Sequence, residues 1–179
     1  MSAYLAFGFA YITYATFIVA SLEARRASPH TTANIALLWG MYGAASFTGA
    51  LATAWLLQSK LRRMAMAIAG FTGAAGCFIT FELPHVAALG AILVGLGLAA
   101  TPAAATAYAR ARSGTAGAPV AIAAVTVAVG FGQLSGPLIA GVSADRLGLA
   151  AVAVLAGCMY SLSAGLAVAD AFTAREAAA

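Results

Sequence analysis

Apolar residues run along this chain in six long stretches, and polar ones gather in the short gaps between them. The stretches are Ala3–Leu22, Asn34–Leu57, Met64–Glu82, Val86–Thr106, Val120–Ser143 and Ala150–Phe172. Each holds about 20 residues, which at ~1.5 Å of rise per residue covers the ~30 Å of a bilayer's hydrocarbon core. Within lipid a lone segment can satisfy its backbone N–H and C=O groups only as a helix. The pattern therefore predicts an all-α membrane protein, one domain over residues 1–179 with six transmembrane helices.

The gaps refine the order. Glu23–Ala33 is polar and carries Pro29 and His30, Gln58–Arg63 is a tight basic turn, and Leu83-Pro84-His85 is so short that its flanking helices must be antiparallel neighbours. Tyr108–Pro119, with Gly114 and Gly117, reads as the longest and most flexible loop, and Asp145–Gly148 as the last. Six spans in series fall into two triplets of opposite membrane orientation, the arithmetic of an inverted repeat. The two triplets share no evident residue-level similarity.

Composition narrows the class. Hydrophobic residues make up 63% of the chain and charged ones 8%, with a mean hydropathy of +0.96, against about 25% charged in a soluble domain. A net charge of +4 could suggest nucleic acid, but the basic residues are scattered over the gaps and form no single face. They fit topology better. Lys60, Arg62, Arg63, Arg110, Arg112 and Arg175 fall on the side shared by both termini, and Arg25, Arg26 and Arg146 on the other. An excess of Lys and Arg marks the cytoplasmic side, so both termini are expected in the cytoplasm. The first stretch lacks a basic leader and is too long for a signal peptide, so it is expected to stay as a helix. Cys77 and Cys158 lie in apolar stretches without ligand partners and read as buried structural thiols.

Polar residues at membrane depth are costly and tend to face a bundle interior or a wet cavity. Tyr11 and Tyr14 share a face of helix 1, and Trp39, Tyr42 and Ser46 share a face of helix 2. Helix 4 adds Thr101, and helix 5 adds Gln133, the most expensive of these to bury. An aromatic face with hydroxyls and one amide suits a neutral or amphipathic organic solute, held by stacking and hydrogen bonds. The plainer alternative makes Tyr4 and Trp39 interfacial belt residues and lets the Thr and Ser hydroxyls bond back to their own helices. Gly132, Gly136, Ala140 and the nearby Gly141 line a small face that either packs helices closely or lets them rock. Pro102 and Pro137 remove helical hydrogen bonds and favour local bends.

No charged side chain sits at a helix centre; Glu82 and His85 at one helix end are the nearest titratable pair. There is no HExxH, no intramembrane aspartate pair and no phosphate-binding loop. Ser135 has no helix-borne histidine to act as its base. An enzyme is not expected, nor a metal, cofactor or nucleic-acid partner.

Residues 6–20 of helix 1 and residues 130–141 of helix 5, Gly-Phe-Gly-Gln-Leu-Ser-Gly-Pro-Leu-Ile-Ala-Gly, resemble the YbfB/YjiJ-like branch of the major facilitator superfamily. Trp39-Gly40 and Ala144-Asp145-Arg146-Leu147-Gly148 fit the same pattern. The likeness runs along nearly the whole chain, but as the C-terminal six-helix half of a twelve-helix permease. It implies a secondary transporter of the bacterial inner membrane in which helices 1, 2, 4 and 5 line a central cavity. That would place Tyr11, Tyr14, Trp39, Tyr42, Thr101 and Gln133 around a small-molecule substrate. Lys60, Arg62 and Arg63 would occupy the family's cytoplasmic loop, with Gln58 and Leu61 where an acidic residue and a glycine usually stand. Alternating access needs two halves, so the resemblance implies a partner: a missing N-terminal half or a second copy. The initial Met leaves open a misassigned start, a split gene or a truncated product. From a different class, a non-transporting membrane scaffold fits the same composition.

Overall fold

The computed structural model describes residues 1–24 and 31–176, and every element among them is helical. Helix α1 spans Ser2–Ala24, α2 Thr31–Leu56, α3 Ala65–Glu82, α4 Ala87–Leu147 and α5 Leu149–Glu176, with 3₁₀ turns at Arg62–Met64 and Pro84–Val86. All five helices are long and apolar enough to cross a membrane. Arg25, Arg26, Pro29 and His30, which entered the loop and charge readings above, lie outside the described residues.

Helix α4 departs from expectation. The segment 108–119 read as a loop, yet it is helical on both sides of Gly114. Alanine at 107, 109, 111, 116 and 118 explains this, since alanine is the strongest helix former. A straight helix of 61 residues would reach ~90 Å, about three times the hydrocarbon core. The run breaks at Gly114, whose φ of 63° and ψ of −178° fall in a region open essentially to glycine alone. Gly114 thus divides α4 into an N-terminal and a C-terminal arm. Gly148, at φ 82°, makes the next turn into α5 the same way.

Contacts give the sense of each arm. The N-terminal arm runs antiparallel to α3: a Cβ on Gly76 would meet Val94, and one on Gly97 would meet Ala69. The C-terminal arm runs parallel to α1, with Gly132 against Leu5 and Phe9 and Gly136 against Phe9 and Thr13. Helix α5 is antiparallel to both α1 and α3. Ser163 donates to the Ala3 carbonyl at 2.7 Å, Tyr160 packs edge-on to Phe7, and Gly70 abuts Ala164. The two arms of α4 consequently run in opposite directions. Helix α2 packs mainly on the N-terminal arm, where Gly49 meets Leu96 and Gly95 meets Tyr42.

The core is built from aromatic and small residues. Tyr14, Tyr160, Phe7, Phe81, Val94 and Cys77 are fully enclosed, surrounded by Ala10, Ala91, Ala153 and Ala156. In lipid, small residues stabilise a bundle by letting backbones approach. The thiols divide: Cys77 is buried as expected, whereas Cys158 is exposed. Its neighbour Gly157 takes the inward position against the Phe78 ring, and the next residue of a helix points ~100° away.

Alanine at Gly114 would meet no atom within 4 Å, so its entire cost is backbone strain, about 1–3 kcal/mol. Gly165→Ala in α5 has the same free space without the positive φ, and should be neutral or slightly stabilising. Thermal unfolding of the two variants in detergent separates a required hinge glycine from a tolerated one.

Candidate functional site

Two hydrogen bonds between side chains of different helices mark the polar interior. Gln133 Nε2 on the C-terminal arm of α4 donates to the Tyr11 hydroxyl on α1 at 2.7 Å, and the pair is half-buried. Tyr14, one turn further along α1, lies 3.1 Å from the Thr80 hydroxyl of α3. Thr80 spends its own proton on the Gly76 carbonyl at 2.8 Å, so Tyr14 is the donor in that pair. A buried polar group with no partner is costly in lipid. Both pairs therefore tie helices together as well as placing polar atoms.

Each pair sits in an aromatic cluster of its own. Tyr14 stacks on Tyr42 of α2, their ring centroids 6.2 Å apart, and meets Phe81 edge-on at 5.7 Å. Trp39 meets Tyr42 edge-on at 5.4 Å. On α1 a second series runs through Tyr4, Phe7 and Tyr11, with successive centroids 5.9 and 5.3 Å apart. Four of the six cavity residues read from sequence thus fall into two local groups, Tyr11 with Gln133 and Trp39 with Tyr42, and Tyr14 adjoins the second.

They are not equally accessible. Tyr11, Trp39 and Gln133 are half-buried, and Tyr42 is buried with 8% of its surface exposed. Tyr14 and Thr101 are at 0%. The Thr101 hydroxyl bonds back to the Gly97 carbonyl of its own helix at 2.9 Å. Ser135, Thr126 and Thr106 bond back to their own helices too. In this conformation Tyr14 lies behind Tyr42, on which it stacks, and Thr101 is enclosed against its own helix.

The small-residue face divides as well. Gly132 and Gly136 sit directly against the α1 backbone, while Gly141 touches only the Phe17 ring, at 4.0 Å. Pro137 lies within the C-terminal arm, next to Gly136. Sequence reading missed the other half of the α1 contact, Gly8, whose added Cβ would strike Val129. It also missed Thr80, Tyr160 and Ser163. Gly8 carried no signal that set it apart from the other helix glycines, and Thr80 carried none because its partner lies 66 residues away in sequence.

Lys60, Arg62 and Arg63 form the basic turn between α2 and α3, and Arg62 and Arg63 are exposed. No group of three or more His, Cys, Asp or Glu among the described residues could hold a metal ion.

Apolar helices of spanning length and interhelical polar pairs define a multi-pass membrane protein. Residues 1–169 match the family model described as an uncharacterised MFS-type transporter, YbfB. The chain belongs to that family, a branch of the major facilitator superfamily, whose members are transporters and not enzymes. No significant match was found among curated proteins or among solved structures.

Proposed function

We propose that this bundle forms one wall of a secondary transporter that moves a small neutral or amphipathic organic solute by alternating access. The carrying observation is the Tyr11–Gln133 pair. It is half-buried, joins α1 to the C-terminal arm of α4 at 2.7 Å, and among the described residues uses one of the amide's hydrogen-bonding groups. The remaining capacity of Gln133 beside Tyr11, with the Trp39 and Tyr42 rings as a second aromatic group, is the chemistry that would orient an organic solute. Tyr14, enclosed and stacked on Tyr42, stands behind this surface as a support.

The opposed arms of α4 support six membrane crossings, grouped as α1–α3 and as the two arms with α5. The contacts also support an inverted repeat. Exchanging the triplets in order turns the α2 contact with the N-terminal arm into the α1 contact with the C-terminal arm. It likewise turns α3 with the N-terminal arm into α5 with α1, and leaves α3 with α5 unchanged; every one of these contacts is extensive. The family supports placement in a bacterial inner membrane, and the distribution of Lys and Arg supports both termini in the cytoplasm.

A second six-helix bundle would complete the cavity, either a further half of a longer chain or another copy. Leu37, Phe47, Leu51, Phe131, Leu134 and Leu138 leave broad apolar faces on α2 and on the C-terminal arm. Single cysteines on α1 and the C-terminal arm separate these cases: disulfide cross-links between copies point to the homodimer, and their absence to a distinct half.

The test of function is accumulation of aromatic and amphipathic solutes by cells expressing the second bundle that the cross-links identify together with the protein or its Gln133→Ala variant. Transport of at least one solute is expected, reduced about tenfold or more in the variant, because a site built to hydrogen-bond its ligand loses most when that group is removed. Equal transport by both would overturn the assignment of Gln133, and no transport of any class would favour the scaffold reading.

A further inference from the structure

A second feature lies where the α2–α3 turn meets the N-terminal arm of α4. A cavity of about 400 Å³ opens there, lined by Leu57, Arg62, Arg63, Ala104, Tyr108 and Arg112, with further alanines of α4 completing its wall. That volume lies within the range of about 300–1,000 Å³ usual for small-ligand sites. Its two sides differ in chemistry: a leucine and alanine wall faces three guanidinium groups.

The arginines are placed by different means. Arg62 and Arg63 belong to the 3₁₀ turn, and among the described residues no ion pair engages either. Arg112 is oriented by Tyr108, one helical turn earlier. Its Nη1 donates to the tyrosine hydroxyl at 2.9 Å, and its guanidinium lies 5.6 Å from the ring centroid. The Tyr108 hydroxyl in turn donates to the Asp170 carbonyl of α5 at 3.3 Å. One N–H of Arg112 is thereby fixed, and its others are left for a ligand. Among the described residues lining an adjoining recess with Arg62 and Arg63, Asp170 is the one acidic group. The balance of charge stays positive.

We propose that this cavity is a binding site for a phosphate-bearing anion, held by Arg62, Arg63 and Arg112. Planar guanidinium forks match phosphate oxygens in paired hydrogen bonds, which a hydrated lysine cannot reproduce. The site sits at the ends of α2 and α3 and beside the α4 break, where a spanning bundle meets the headgroup layer. The same chemistry would take an anionic lipid headgroup or a free phosphate. In the lipid case the alanine wall would receive the glycerol and the upper acyl chain. This site is separate from the Tyr11–Gln133 wall and does not depend on the solute carried.

The test uses purified protein in phosphatidylcholine nanodiscs, supplied in one arm with phosphatidylglycerol and in the other with inorganic phosphate. Lipid retention is read by native mass spectrometry, and binding by the shift in unfolding temperature. Arg62→Gln and Arg112→Gln should each weaken binding roughly fivefold, while Arg112→Lys retains part of it. Arg146→Gln, in the last turn of α4, should leave binding unchanged. Unfolding in phosphatidylcholine alone should be the same for all four, since these side chains are exposed. Retention of phosphatidylglycerol without a phosphate response would identify a lipid site, and a response to both an open anion site; either supports the proposal. No response in either arm, or a response equally lost in Arg146→Gln, would overturn it.

Discussion

Alanine at position 132 is expected to destabilise the bundle by about 1–3 kcal/mol, the usual cost of overpacking a site that cannot relax. Its Cβ would strike the Leu5 carbonyl and lie 2.7 Å from the Phe9 nitrogen. Both are α1 backbone atoms, so no side-chain rotation relieves the contact. The C-terminal arm of α4 would have to move away from α1, stretching the Tyr11–Gln133 hydrogen bond that bridges the same two helices. Gly130→Ala, two residues earlier in the same arm, is the comparison. A Cβ there meets nothing within 4 Å, and exchanging glycine for alanine within a helix gains up to about 1 kcal/mol. The two variants should thus shift the unfolding temperature in opposite directions. Equal effects would mean that helix propensity, and not close approach, governs this arm.

That contrast shows which parts of the structure the amino-acid pattern carried. Spanning helices were legible because lipid leaves few options: a long apolar run must close its own backbone hydrogen bonds. The residues that face the bundle were partly legible, as the costly Gln133 found Tyr11. Which glycines bear on a neighbour was not. Gly130 and Gly132 look alike in sequence, and Gly40 and Gly43 of α2 have open space where Gly49 has a backbone against it. The distinction depends on the rotation of one helix about its axis relative to another, which periodicity within a single helix does not determine. The segment around Gly114 misled for a related reason. Glycines and charged residues suggested a loop, but alanine carries the helix up to a single residue with positive φ.

Tyr14→Ala is expected to have the larger effect, about 3–5 kcal/mol, as for removal of other enclosed aromatic rings. The ring is fully enclosed and touches Tyr42 and Phe81, so it holds α1 against both α2 and α3. Its loss would leave a cavity at the junction of three helices and remove the donor to Thr80. Tyr14→Phe isolates the second effect. It keeps the ring, and Thr80 still has its bond to the Gly76 carbonyl, so the cost should be about 0.6–1.7 kcal/mol, the range for interhelical hydrogen bonds in a membrane protein. If Tyr14 is a support, Tyr14→Phe transports normally once the amount of folded protein is matched, and Tyr14→Ala fails because little folded protein survives. Tyr11→Phe should behave the other way, with a stable fold and impaired transport, because the hydroxyl it loses is half-buried and accepts from Gln133. A Tyr14→Phe protein that folds fully yet carries no solute would put that hydroxyl in contact with the solute. The helices would then have to part around Tyr14 during transport, and the solute cavity would extend past Tyr11 into what is now the packed interior.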